Sequence, residues 1–220
     1  MSTKVLQDIP RMGALDDSPR GRVLRAAAHL FATQGYERTT VRDLARMVGI
    51  QSGSLFHHFD SKLDILSAVM EEAIHYNHQR MRQALALATD RHARLFALVR
   101  SELEAICGPS GEAMKVLVYE WESLPSPQQQ ALLALRQAYE QDWLTVLQEM
   151  QAAGELIYEP FLWRRLLAGA IAWTHSWYHP QGRLGLEELT TMVVAMARAG
   201  QLPAPSINAP ASQDGRHCPD

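Results

Sequence analysis

Residues 39–62 read TTVRDLARMVGIQSGSLFHHFDSK, and this stretch decides the fold. Thr39 and Thr40 offer cap hydroxyls for a short helix over 41–48, with Leu44, Ala45 and Val48 turned inward. Gly49 permits a left-handed turn, and a second short helix follows at about 52–58. Two short helices at a steep angle need a small residue where they approach, and Ala45 supplies it. Leu44, Val48, Ile50, Leu55 and Phe59 form the core of the pair. The second helix then exposes Ser52, Ser54, Phe56, His57 and His58, whose hydroxyls and imidazoles suit base edges or phosphates. Gly53 lets the backbone come close to a bound surface, and Lys62 suits a phosphate contact. The same parts also build an ordinary helix pair inside a bundle, and spacing alone leaves that alternative open.

Working outward, a first helix begins at Ser18-Pro19 and buries Val23, Leu24, Ala27, Leu30 and Phe31 before Gly35 ends it. Asp60-Ser61 caps a long helix from Lys62 to about Leu87. Further helices are expected over 91–107, 112–123, 127–153, 160–178 and 186–199. Gly108-Pro109, Pro125, Pro127, Gly154, Pro160, His179-Pro180 and Gly200 separate them. No segment alternates as a strand would. The expected class is all-α with about nine helices: a flexible arm at 1–17, a three-helix head at 18–62, a helical body at 63–200 and a disordered Pro/Ala/Ser-rich tail at 201–220.

Hydrophobic residues make up 47% of the 220, enough for a sizeable core. No apolar run has the ~18 residues of a membrane span, and the N-terminus lacks a signal-peptide core, so the expected location is cytoplasmic and away from membranes. The net charge of −3 excludes a broadly basic coat for nucleic acid. The charge is unevenly placed: residues 1–62 carry nine Lys/Arg and six Asp/Glu, whereas 63–220 carry twelve and eighteen. Cys107 and Cys218 are too few for a disulfide framework or a zinc site. Cys107 reads as a small core residue.

The string Phe31, Gly35-Tyr36, Thr39-Thr40-Val41-Arg42-Asp43-Leu44-Ala45, Gly49-Ile50, Gly53-Ser54-Leu55-Phe56-His57-His58-Phe59, Ser61-Lys62 resembles the DNA-binding domain of the TetR/AcrR family of transcriptional regulators. About 45 residues carry the likeness. The resemblance implies a helix-turn-helix that binds duplex operator DNA, usually palindromic, with Thr40 and Lys62 on phosphates and Ser54, His57 and His58 toward the major groove. Arg20, Arg22 and Arg11 then lie within reach of phosphates or the minor groove, or on a solvated face; the sequence leaves both open. Two positions depart from the family pattern. Ser52 stands where a basic residue is common, and Phe56 where a tyrosine is common. The first loses a phosphate charge and the second a hydroxyl, which bears on operator affinity or sequence.

The resemblance further implies a C-terminal domain for ligand binding and dimerisation, and a homodimer made by the last two helices. Leu189, Met192, Val193 and Met196 form an apolar stripe there, and Ala168-Gly169-Ala170 permits close helix approach. A helix packed inside the monomer shows the same stripe. Phe96, Trp121, Tyr139 and Trp143 are the candidate ligand-binding residues, on the middle helices where the family builds its pocket. Arg136, His78 and His175 are placed to meet a polar group. The stretch from Trp173 to Leu189 resembles family members that control fatty-acid, steroid or aromatic-acid catabolism. An amphipathic effector follows, an acyl-CoA foremost, releasing a repressor from DNA.

No GxSxG, phosphate-binding glycine loop or dinucleotide fingerprint occurs, so no enzyme activity and no cofactor are expected. Glu71/Glu72 and Glu102/Glu104 read as the carboxylate pairs of exposed helix faces. His75 and His78, with Glu71 one turn earlier, have a spacing that can hold a metal. Two histidines on a helical body are the favoured reading, and no metal site is expected.

Overall fold

The structure, a computed structural model, describes residues 15–108 and 110–198. Arg11 and most of the expected arm lie outside the described residues, as does the tail at 201–220 with Cys218.

Nine α-helices run through the described residues. They are α1 (Pro19–Gln34), α2 (Val41–Val48), α3 (Ser52–Leu55), α4 (Lys62–Leu87), α5 (Arg91–Cys107), α6 (Gly111–Tyr119), α7 (Ser126–Ala152), α8 (Pro160–Trp173) and α9 (Leu186–Arg198). Their starts are chemically explicit. Ser18 accepts from the Gly21 N–H ahead of Pro19, Ser61 from Asp64 and Asp90 from Ala93, while Glu159 accepts from Phe161 and Leu162. Thr40 and Asp43 form a reciprocal capping box at α2. Gly49 ends α2 at φ +79°, ψ 34°, a conformation costly for any residue with a Cβ.

Three helices end earlier than their sequence periods predict. After Leu55 the backbone bonds shorten in register, with Phe56 donating to Gly53, His57 to Ser54 and His58 to Leu55, so the expected helix at 52–58 closes as a tight turn. The segment at 112–123 breaks at Glu120, whose carboxylate accepts from the Tyr36 N–H and the Ser123 hydroxyl. The segment at 160–178 tightens after Trp173, where the Thr174 hydroxyl donates to the Ile171 carbonyl.

Two apolar clusters hold the chain together. The first joins Leu24, Phe31, Leu44, Leu55 and Phe59 of the head to Leu66, Met70, Val116 and Leu132. The head therefore has no separate core: burial runs through the expected boundary at residue 62 into α4, α6 and α7. The second packs Met81, Leu95, Leu98, Trp143, Leu147 and Ile171 with Leu189 and Val193 of α9. Among the described residues, no helix is long and apolar enough to cross a membrane.

Candidate nucleic-acid interface and cavity

The head presents α3 and its following turn outward. Ser52 and Ser54 are half-buried, whereas Gly53, Phe56, His57 and His58 are exposed. Phe56 leaves 54% of its surface in solvent. Leu55 and Phe59 are buried and anchor the exposed turn from below. No atom lies within 4 Å of where a Gly53 Cβ would stand, so internal packing does not require glycine there.

Thr40 and Lys62 turn out to be engaged within the head. The Thr40 N–H and hydroxyl both donate to the Asp43 carboxylate, at 3.0 and 2.5 Å, and the Asp43 N–H donates back at 3.2 Å. Those bonds hold the Asp43 carboxyl below its ordinary range. Helix geometry leaves the Val41 and Arg42 N–H groups without an intrahelical acceptor, pointing along the start of α2. The Lys62 ammonium donates to the carbonyls of Tyr36 and Thr39 and lies over the Tyr36 ring. Arg20 is exposed and packs over Phe59, while Arg22 is half-buried.

The body holds a cavity of about 740 Å³, open to solvent on one side and within the range of small-molecule sites. Trp121 and Tyr139 line it, as do Arg136 and His175. Phe96 and Trp143 are not among its lining residues. Trp143 is completely buried under the Arg164 guanidinium, and Phe96 packs on the second cluster. His78 instead pairs with Asp142 at 2.9 Å, and His75 is exposed. Lys115 and Arg136, both exposed residues, bring cations to the cavity rim, and Trp173, Met114 and Leu133 add apolar wall.

The polar wall was not foreseen. Arg164 grips Glu140 through two N–H groups at 2.9 Å each and Glu102 at 3.1 Å, and the Tyr139 hydroxyl donates to Glu102. Glu102 therefore corrects an expectation: it is buried rather than one of an exposed pair, because it falls in phase with Leu95, Leu98, Val99 and Ala105. Burial pushes its carboxyl up, against the pull of Arg164. Burial likewise pushes the Tyr139 phenol well above its ordinary value. For Arg164, burial opposes the charge, yet the two carboxylates keep it firmly protonated. A signal existed in the sequence: Arg164, Leu167 and Ile171 share one face of α8, placing a charge on a core-facing stripe. Asn77, also buried and lining the cavity, carried the same kind of signal, in phase with Ala73, Ile74 and Met81 of α4.

The stripe on α9 divides. Leu189 and Val193 are buried against the body, whereas Met192 and Met196 remain 48% and 64% exposed. On α8, Leu162, Leu166, Trp173 and, just beyond it, Trp177 are also exposed. Three apolar side chains on α8, Trp177 just past it and two more on α9 make a surface that water solvates poorly.

Comparison with known proteins returns two family profiles. One describes bacterial regulatory proteins of the tetR family and matches residues 23–69, and the other describes a tetracyclin repressor-like C-terminal domain and matches residues 88–201. The chain is similar to the HTH-type transcriptional repressor KstR2 of Mycolicibacterium smegmatis, at 32% identity over 83% of this chain and 90% of that protein. Among solved structures it is similar to the superantigen PfiT, at 56% identity, TM-score 0.73, covering 82% of this chain and 96% of that one. It is also similar to the ketosteroid transcriptional regulator KstR2 of Mycobacterium tuberculosis, at 26% identity, TM-score 0.76, covering 86% and 98%.

Proposed function

The chain belongs to the tetR family of bacterial regulatory proteins, and we propose that it is a homodimeric cytoplasmic repressor released from a palindromic operator by an amphipathic effector. It is a DNA-binding transcriptional regulator and not an enzyme. Repression is taken from the KstR2 relatives, which carry that name.

Ser54, His57 and His58 read bases, with Phe56 against a thymine methyl. Lys62 holds a phosphate with the N–H that its two carbonyls leave over, and Thr40 acts by building the start of α2. Ser52 and Gly53 allow close approach to the backbone. The dimer seam is the exposed face of α8 and α9, with Met192 and Met196 in contact across a two-fold axis. Leu189 and Val193 support that face from inside. Two heads on one dimer then meet half-sites about one helical turn apart, ~34–36 Å.

One observation carries the switch: α6 faces the cavity on one side and holds the head on the other. Met114, Leu117, Val118 and Tyr119 line the cavity, while Glu112 pairs with His29 of α1 at 2.8 Å and Glu120 accepts from the Tyr36 N–H at 3.0 Å. The long helix α4 gives a second path, since Lys62 lies in the head and Ala73 and Ile74 line the cavity. An effector that fits better when α6 and α4 have shifted separates the recognition turns, and equal affinity for both states shifts nothing. A hundredfold preference corresponds to ~2.7 kcal/mol, an ordinary coupling energy.

The cavity suits an apolar body, and the rim cations Lys115 and Arg136 suit the phosphates of an acyl-CoA. The test is release of a fluorescent operator, cut from the protein's own upstream region, by acyl-CoAs of graded chain length. Trp121→Ala is expected to blunt release, and Glu120→Ala to leave ligand binding intact while uncoupling it from DNA. If no thioester releases the operator, the acyl-CoA assignment is wrong. If no ligand of any class enters the cavity, effector control is wrong as well.

A further inference from the structure

We infer that Asn77 is the specificity-determining residue of the cavity and that it recognises a neutral carbonyl oxygen on the ligand. The inference rests on the reading of this cavity as the effector site. Asn77 lies midway along α4, is only 7% exposed, and lines the cavity. Its Oδ1 lies 3.1 Å from the Ser110 hydroxyl, which the Ala105 carbonyl shares at 3.0 Å. The Nδ2 group is buried and has no hydrogen-bond partner. Ala73, Ile74, Ala105 and Met114 share this part of the lining and offer no side-chain acceptor.

A buried donor left unsatisfied is disfavoured, and one that faces a cavity can take its partner from whatever enters. A primary amide N–H calls for an acceptor oxygen. The surroundings of the amide select which kind. A carboxylate or phosphate placed among Ala73, Ile74, Ala105 and Met114 would lose its water with no cation beside it. A ketone or acyl carbonyl supplies the acceptor without the charge, and the apolar neighbours take the carbon frame around it. The hydrogen bond forms on the helix that begins at Lys62 in the head and against the residue that precedes α6, so recognition and signal share one place.

The experiment uses the full chain and 2-undecanone labelled with carbon-13 at the carbonyl. Binding is followed by tryptophan fluorescence, and the carbonyl stretch by infrared difference spectroscopy. In the wild type the bound band is expected at lower wavenumber than for the ketone in alkane. Asn77→Leu, nearly isosteric, should return the band to its alkane position and weaken binding about three- to tenfold, the scale of one neutral hydrogen bond. The same variant should melt no lower than the wild type, because it removes an unpartnered donor. Should it fail to fold, Asn77→Ala, which also lacks a side-chain donor, is measured in its place, with the same loss of shift expected. An unshifted band in the wild type, or the same shift in the variant, overturns the role of Asn77 and leaves ligand entry standing. Absence of ketone binding to the wild type overturns the role of Asn77, whereas the effector reading falls only if no ligand of any class enters the cavity.

Discussion

The Lys62 ammonium lies 4.0 Å from the centre of the Tyr36 ring and donates to the Tyr36 carbonyl at 2.9 Å. It also bonds the Thr39 carbonyl at 3.0 Å, so one side chain at the start of α4 ties down the segment that leads from α1 into α2. The residue proposed to hold a phosphate is thus a brace of the head.

Lys62→Met is therefore expected to act twice. Loss of charge-assisted bonds and of the ring contact should lower stability by ~1–3 kcal/mol, measured by urea unfolding. Operator binding should weaken alike for all sequences, and the slope of log affinity against log salt should fall by about 1. An unchanged slope would show that Lys62 only braces.

Gly53→Ala separates folding from binding. No protein atom opposes the new methyl, and alanine favours helix by roughly 0.5–1 kcal/mol, so thermal stability should hold or rise. Operator affinity should fall, because the methyl stands between the backbone and DNA. Full affinity in a gel shift would place the DNA elsewhere.

His57→Ala should chiefly blunt discrimination, by ~1–3 kcal/mol per lost base contact. Parallel titrations on operator and random DNA decide it: equal losses assign His57 to phosphate. Wild-type binding should itself be steep in salt, falling by ~10³–10⁵ between 50 and 200 mM if ~6–10 phosphates are contacted.

Met192→Glu with Met196→Glu should yield folded monomers that lose the operator, since both side chains are exposed in the single chain. Val193→Glu should instead unfold the body, because Val193 packs in the second cluster. Sedimentation and circular dichroism distinguish the two. Dimers surviving the double change would move the seam.

Arg164→Met leaves Glu102 and Glu140 without their shared cation and should cost ~3–5 kcal/mol. The pH dependence has a definite sign. Burial raises the folded carboxyl of Glu102 above its unfolded value, so the folded chain holds more protons across that window. Stability from this group is complete below the unfolded value and is lost as pH rises through the folded one. Without Arg164 the folded value rises further and the loss extends to higher pH. Melts from pH 4 to 8 check this.

The helices, their caps and the head were legible in the sequence because those signals are local. Thr40 with Asp43, Gly49, Ser61 and the buried phase of Leu44 and Leu55 act within a turn or two of one another, and spacing along the chain reports them. The exposed set at 52–58 followed from the same periodicity, as did the apolar stripe of α9. Three-dimensional packing decided the rest. Phe96, Tyr139 and Trp143 are equally aromatic in sequence, yet only Tyr139 faces the cavity, because the angles between α5, α7 and α8 choose which side of each helix meets a void. Residues 102 and 164 are 62 apart, and Tyr36 and Glu120 are 84 apart; such pairs leave no periodic trace. The split of Leu189 and Val193 from Met192 and Met196 likewise needed the position of α5 beneath α9. Amphipathicity says that a helix has a buried face, whereas the neighbour that covers it is fixed only when the whole chain has packed.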